Sequence, residues 1–253
     1  MRNTKTRMTG TAAAALAALA WGAVWCAAAP LPPDPQILLP RADQARNGWD
    51  SFVARVRITT FESGQADEEH LFEVSQKGVD KSYVDFLSPR EKGRHVLMLG
   101  DDMWIFLPDT SRPIRITPAE RLAGSASNGD VARTNYAEDY AATYVRTENV
   151  DGVSCYVLDL VARRKGATYR HVQYWVRAEN AQPVKADYFL ASGKLIKSAT
   201  FDEYQTIRGV RLVRRMTIKD RIRPGSGSVI EYLSFTPRDL PDKLFHQGGP
   251  DRY

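Results

Sequence analysis

The sequence predicts an all-β protein built from antiparallel strands. Three observations carry this. Apolar and polar residues alternate along most of the chain, as in Phe52-Val53-Ala54-Arg55-Val56-Arg57-Ile58, where Phe52, Ala54, Val56 and Ile58 share one side and Arg55 and Arg57 the other. A period of two marks a half-buried strand. Glycine-containing dipeptides, Gly100-Asp101, Asp151-Gly152, Ser192-Gly193 and Arg208-Gly209, separate such runs, and glycine supplies the positive φ of tight hairpins. No segment of helical period is long enough to alternate with strands as βαβ units.

The chain opens differently. Arg2, Lys5 and Arg7 precede an uncharged stretch from Met8 to Pro33, which ends in Ala27-Ala28-Ala29 and Pro30-Leu31-Pro32-Pro33. That is the layout of a secretory signal peptide, with cleavage expected after Ala28. The expected organisation is residues 1–28 as signal and 29–253 as a single exported domain. An uncleaved anchor is the competing reading, but the apolar segment is short and Ala-rich for a spanning helix. Cys26 as a lipidated first residue is a third; Val24-Trp25 fit that signal poorly. The formal net charge is +5, and removing three basic residues with the signal leaves an excess of only two. The basicity is then largely an export device, and nucleic acid is not an expected partner.

After the signal, a helix is expected between Asp34 and Asn47, closed by Gly48, with Pro40 blurring its start. Strands follow at 52–58, 69–77, 82–87, 94–99 and 103–107. Thr117-Pro118-Ala119-Glu120 reads as a capping box opening a short helical turn. The polar loop Gly124–Asp130 comes next, and Asp130 is expected to cap a turn through Tyr136. Further strands fall at 143–149, 153–161, 168–177, 184–190, 194–204, 210–219 and 228–235. Thr236-Pro237-Arg238-Asp239 is expected to open a last helical turn. Strands at this spacing argue a meander, sandwich or barrel.

Chemistry-bearing patterns are few. His70, His95, His171 and His246 do not fall at metal-ligand spacing, and no cysteine accompanies them. There is no nucleophile elbow, phosphate loop or dinucleotide fingerprint. No enzyme activity, metal or cofactor is therefore expected. With Cys26 removed, Cys155 stands alone in a strand pattern and reads as a small buried hydrophobe. The conspicuous feature is the hairpin Val96-Leu97-Met98-Leu99 and Met103-Trp104-Ile105-Phe106-Leu107. Successive residues are apolar, so both faces must be covered. Protein on both faces is one reading; a face lining a cavity for an apolar ligand is the other.

The same hairpin, Leu99-Gly100-Asp101-Asp102-Met103-Trp104-Ile105-Phe106-Leu107-Pro108, with Arg112-Pro113-Ile114-Arg115-Ile116, resembles the LolA-like outer-membrane lipoprotein-sorting proteins. Ser127-Asn128-Gly129-Asp130, Phe201-Asp202-Glu203-Tyr204 and Leu240-Pro241-Asp242-Lys243-Leu244-Phe245 add to the likeness, which spans roughly Asn47 to Phe245. The resemblance implies a curved, incomplete antiparallel β-barrel with a few short helices on its open side. It implies a monomeric periplasmic carrier that binds acyl chains of a lipid or lipoprotein and passes them toward the outer membrane. The alternative is a sensor or accessory subunit of an inner-membrane exporter, binding a protein or signal lipid. The expected ligand-binding residues are Leu97, Leu99, Trp104 and Phe106, which share one face of the hairpin, with Met216 and Leu233 from the far end of the sheet.

Overall fold

The computed structural model describes residues 34–246. The expected signal, its cleavage site and Cys26 lie outside these residues. Among the described residues no helix is long and apolar enough to cross a membrane.

Helix α1 (Pro35–Asn47) starts on an Asp34 cap, whose carboxylate accepts the Gln36 N–H at 2.9 Å, with Pro35 at the first helical position. It runs through Pro40 without interruption. The first run of strands is β1 (Ser51–Glu62), β2 (Gln65–Lys77), β3 (Lys81–Phe86), β4 (His95–Leu99), β5 (Asp102–Phe106) and β6 (Ile114–Ile116). A connection follows, made of a two-stranded ribbon, β7 (Arg121–Ala123) and β8 (Ala126–Ser127), and two short helices, α2 (Asn128–Ala132) and α3 (Tyr136–Asp139). The second run is β9 (Tyr140–Val150), β10 (Val153–Ala162), β11 (His171–Arg177), β12 (Pro183–Phe189), β13 (Leu195–Ile207), β14 (Val210–Asp220) and β15 (Gly227–Pro237). A 3-10 turn at Asp242–Leu244 ends the description.

Thirteen strands form one antiparallel sheet, in the order β6-β5-β4-β3-β2-β1-β15-β14-β13-β12-β11-β10-β9. Neighbours are joined by hairpins except β1 and β15, the first and last strands of the described residues. Asp151-Gly152 and Arg208-Gly209 both take positive φ at both residues, as two-residue hairpins of the right twist require.

The sheet curls strongly. β5 and β10 lie ten strands apart in the order, roughly 48 Å in a flat sheet. Yet Asp101, beside β5, is 3.0 Å from Arg164, just after β10. At this meeting point a Cβ on Gly166 would stand 2.8 Å from the Asp101 Cα, so only glycine fits. The curl is not a closed barrel: β6 and β9 remain its two edges.

Several local expectations are corrected. Glu120 does accept the Thr117 N–H at 2.8 Å, but the segment is a turn leading into β7, not a helix. The cap of α2 is Ser127, and Asp130 is the third helical residue, reaching back to the Ser127 N–H at 2.8 Å. Pro237 ends β15, and the last helical turn comes later, at Asp242–Leu244.

Candidate lipid-binding face

Alternation gives the curled sheet two faces with different partners. On the inner face, rows of side chains run from strand to strand. One row is Phe52, Gln76, Ser82, Met98, Met103 and Ile116; another is Ala54, Val74, Val84, Val96 and Ile105. A third links the halves through Ile58, Ile230, Met216 and Phe201. Apart from Gln76 and Ser82, these residues belong to or pack against one core that also contains Leu38, Leu39 and Ala42 of α1, Val131 and Ala132 of α2, and Tyr136 of α3. Helix α1 lies against β14, β9 and α3, and the connection 117–139 runs from one sheet edge to the other. The three helices therefore fill the inner face.

The inner face is chemically divided. Its β1–β5 half is aliphatic and Phe/Met-rich. Its β9–β13 half carries Tyr140, Tyr174, Tyr188 and Phe201, joined by Tyr136 and Tyr169 from the connections. Among them sit buried ionic groups. Arg46 of α1 donates through Nη2 to the Asp130 carbonyl at 3.1 Å and lies over the Tyr136 and Phe201 rings at 4.9 and 5.7 Å. Asp130 accepts from the Tyr169 hydroxyl at 2.8 Å, and Lys197 reaches Ser127 at 2.5 Å and Tyr169 at 3.1 Å. Asp43 accepts the Ala137 N–H at 2.7 Å; burial pushes its carboxyl up to about 7.

Polar contacts fasten the helices. Arg133, just after α2, is 3 % exposed at its side chain. It donates to the Gly100 carbonyl at 2.6 Å, to Asp101 at 3.1 Å and to both oxygens of Asp139 at 2.6 Å. Asn47 donates to Asn135 at 2.7 Å and accepts from Thr134. Arg164 ties Asp101 to Glu138 at 3.0 and 3.2 Å. Hydrogen bonds to charged groups of this kind contribute about 1.5–3 kcal/mol each, whereas withdrawing a strand would sacrifice a whole ladder. The helices are the separable part.

The sequence-predicted residues fall on different surfaces. Leu97, Leu99, Trp104 and Phe106 do share a face, but it is the outer one. There they pack with Tyr83 and Val53 under a strap formed by Leu240, Leu244 and Phe245. The strap is pinned by Lys77, which donates to the Leu240 carbonyl at 2.7 Å, and by Lys81, 2.8 Å from Asp242. Both lysines hold the Asp242 carboxyl below its ordinary range. Met216 is buried in the inner core. Leu233 occupies the β-bulge opposite Arg55 and Val56 and is 45 % exposed. The six therefore do not line one cavity. Period two separates the faces of the hairpin without naming them, and both are indeed covered. Met98, Met103, Val96 and Ile105 are the hairpin's contribution to the helix-covered face.

Sequence reasoning missed the Arg46–tyrosine group. A signal was present: Leu39, Ala42 and Arg46 follow the i, i+3, i+7 spacing of one helix face, which places Arg46 among the buried residues. Cys155, expected as a buried hydrophobe, packs with Val157 and Trp175 on the outer face. Burial pushes its thiol up.

Comparison with known proteins agrees with this architecture. A family model described as an uncharacterized protein matches residues 78–248. A LolA superfamily protein from Nitrosomonas europaea is 36 % identical, with a TM-score of 0.79, covering 84 % of this chain and 97 % of that one. A DUF1329 family protein from Desulfovibrio piger is 25 % identical, with a TM-score of 0.73 and coverage of 85 % and 98 %. A structure described as an outer membrane lipoprotein-sorting protein domain, from Vibrio parahaemolyticus, shares the fold at 18 % identity and a TM-score of 0.72, covering 84 % and 96 %. No curated protein matches the chain. At 36 % identity to the first of these relatives over nearly that whole protein, and with the same fold, the chain belongs to the LolA superfamily.

Proposed function

We propose that the protein is a periplasmic carrier, exported by its N-terminal signal, that holds acyl chains of a lipid or lipoprotein against the inner face and carries them toward the outer membrane. The observation that supports this reading best is the construction of that face. An apolar surface several strands wide is covered by three short helices, attached through side-chain hydrogen bonds and ion pairs instead of strand pairing.

A chain of about sixteen carbons loses roughly 12 kcal/mol when it leaves water, at about 0.8 kcal/mol per methylene. That is enough to displace helices from the aliphatic strips while the broken polar contacts rehydrate. Met98, Met103 and Met216 adapt to a mobile chain because their unbranched thioethers change rotamer readily. When cargo departs, α1, α2 and α3 close over the vacated surface, which keeps the empty carrier from exposing it. No covalent step is required.

The test is mass spectrometry of lipids extracted from protein purified out of its native periplasm. Stoichiometric acylated molecules are expected. Protein free of lipid, yet pulled down stably with an inner-membrane exporter, overturns the carrier reading in favour of an accessory subunit.

A further inference from the structure

Among the buried donors of the described residues that have no acceptor, two on the inner face stand beside one another. Arg46 is 4 % exposed, and while its Nη2 binds the Asp130 carbonyl, its Nη1 has no hydrogen-bond partner among the described residues. The Tyr174 hydroxyl, on a fully buried side chain, likewise has none. Both border the same ring pair. Arg46 lies over Tyr136 and Phe201, and the Tyr174 ring is 5.4 Å from Tyr136 and 6.1 Å from Phe201. A buried donor without an acceptor is costly, more so when charged, and folded proteins keep few of them.

Most of the surrounding polar groups are engaged, the exception being one buried oxygen of Asp43. Tyr136 donates to Tyr188 at 3.3 Å, and Asp130, Tyr169, Lys197 and Ser127 satisfy one another. Asp43, one turn before Arg46, is the nearby acid on α1, and with its carboxyl raised to about 7 it neutralises the guanidinium only in part. The spare capacity is therefore two donors and a share of positive charge, against a single unpartnered oxygen on Asp43 that hydrogen-bonds neither of them.

Resting on the carrier reading, we infer that Arg46 and Tyr174 receive the oxyanion of an acidic lipid headgroup, a phosphate or carboxylate, whose acyl chains lie across the aliphatic half of the inner face. The placement links headgroup and chain. Phe201, beneath the Arg46 guanidinium, begins the continuous row Phe201–Met216–Ile230–Ile58. That row crosses three strand steps, roughly 14 Å, from the tyrosine half into the aliphatic half. A guanidinium and a phenol are both pure donors toward an anion, and a guanidinium suits a two-oxygen group. A neutral headgroup would leave the charge unmatched. The cargo class that fits is an anionic diacyl or monoacyl lipid.

The experiment compares two fluorescent probes with the same labelled acyl chain, phosphatidate and diacylglycerol, on the full exported protein. Their ratio of affinities is the readout. Phosphatidate should bind at least tenfold more tightly. Tyr174→Phe removes one unpartnered hydroxyl and leaves the packing in place; it should lower the ratio several-fold. Arg46→Gln should bring it close to one, and Arg46→Lys should keep most of it. Equal affinities in the wild type, or a ratio unchanged in both Tyr174→Phe and Arg46→Gln, overturns the headgroup assignment while leaving the carrier reading standing. Displacement of phosphatidate by millimolar inorganic phosphate assigns the site to a free anion and overturns the lipid assignment. Binding of neither probe overturns the carrier reading and the headgroup site together.

Discussion

Arg133 and Asp101 meet at 3.1 Å, joining the connection that crosses the inner face to the tip of the β4–β5 hairpin. Because Arg164 holds the same carboxylate oxygen at 3.0 Å, one side chain ties together the hairpin, the crossing segment and the loop after β10. No strand ladder bridges this seam, so these contacts close it.

Asp101 is the replaceable member of the seam. Its side chain is 43 % exposed, and exposed ion pairs contribute about 1 kcal/mol or less. Asp101→Asn should therefore change the melting temperature little while speeding uptake of a fluorescent fatty-acyl probe, as stopped-flow mixing would record. Unaltered uptake kinetics would show that the seam does not limit opening.

Arg133 is different in kind. Its guanidinium is buried against Asp139, itself 3 % exposed at the side chain. Arg133→Met strands that carboxylate, and the expected loss is about 3–5 kcal/mol, read by urea denaturation. The double variant Arg133→Met with Asp139→Leu should recover a large part of the loss.

Asp43 gives the fold a pH dependence of definite sign. Its carboxyl titrates near 7 in the fold against an ordinary 3.8, because burial outweighs the Ala137 N–H bond and the Arg46 charge. The folded state thus binds the extra proton, so this contribution is complete below pH 4 and is lost as pH rises through about 7. Asp43→Asn mimics the protonated form. Its stability relative to wild type should grow from pH 4 to 7 by up to about 1.4 kcal/mol per pH unit. A constant difference across that range would contradict the assignment.

The two faces of the sheet should separate in experiment. Leu97→Ala hollows the outer cluster under the strap and should cost about 2–5 kcal/mol without altering the affinity of an acyl probe. Met216→Ala, on the inner face, should change that affinity as well as stability. Equal effects on affinity from both would place the ligand elsewhere.

Much of the sheet was legible because strand propensity and turn chemistry are local. The alternation at Phe52–Ile58 fixed which residues go inward, and Asp151-Gly152 and Arg208-Gly209 fixed their turns. Face identity was not legible. Trp104 and Phe106 looked like cavity walls because they are aromatic, yet what covers them is Leu240 and Phe245, more than 130 residues away in sequence. Strand β6 was missed because three residues between prolines and threonines give too little alternation to register. Arg46 shares the helix face of Leu39 and Ala42, but a charged side chain near the end of a short helix is usually solvated, and the tyrosines that make its burial tolerable come from distant parts of the chain.

A closed barrel is a hoop: strand number and stagger fix its girth, and its lumen can change only by rearranging side chains. The sheet between β6 and β9 is a leaf spring instead, anchored at β1 and β15 where the first and last described strands pair. No ladder joins β6 to β9, so once the Asp101 contacts to Arg133 and Arg164 open, the sheet's width would change through small changes of twist at every strand, each keeping its hydrogen bonds. On the carrier function proposed above, capacity becomes a property of how far the spring is held open, so thirteen strands of one sequence would take one acyl chain or several.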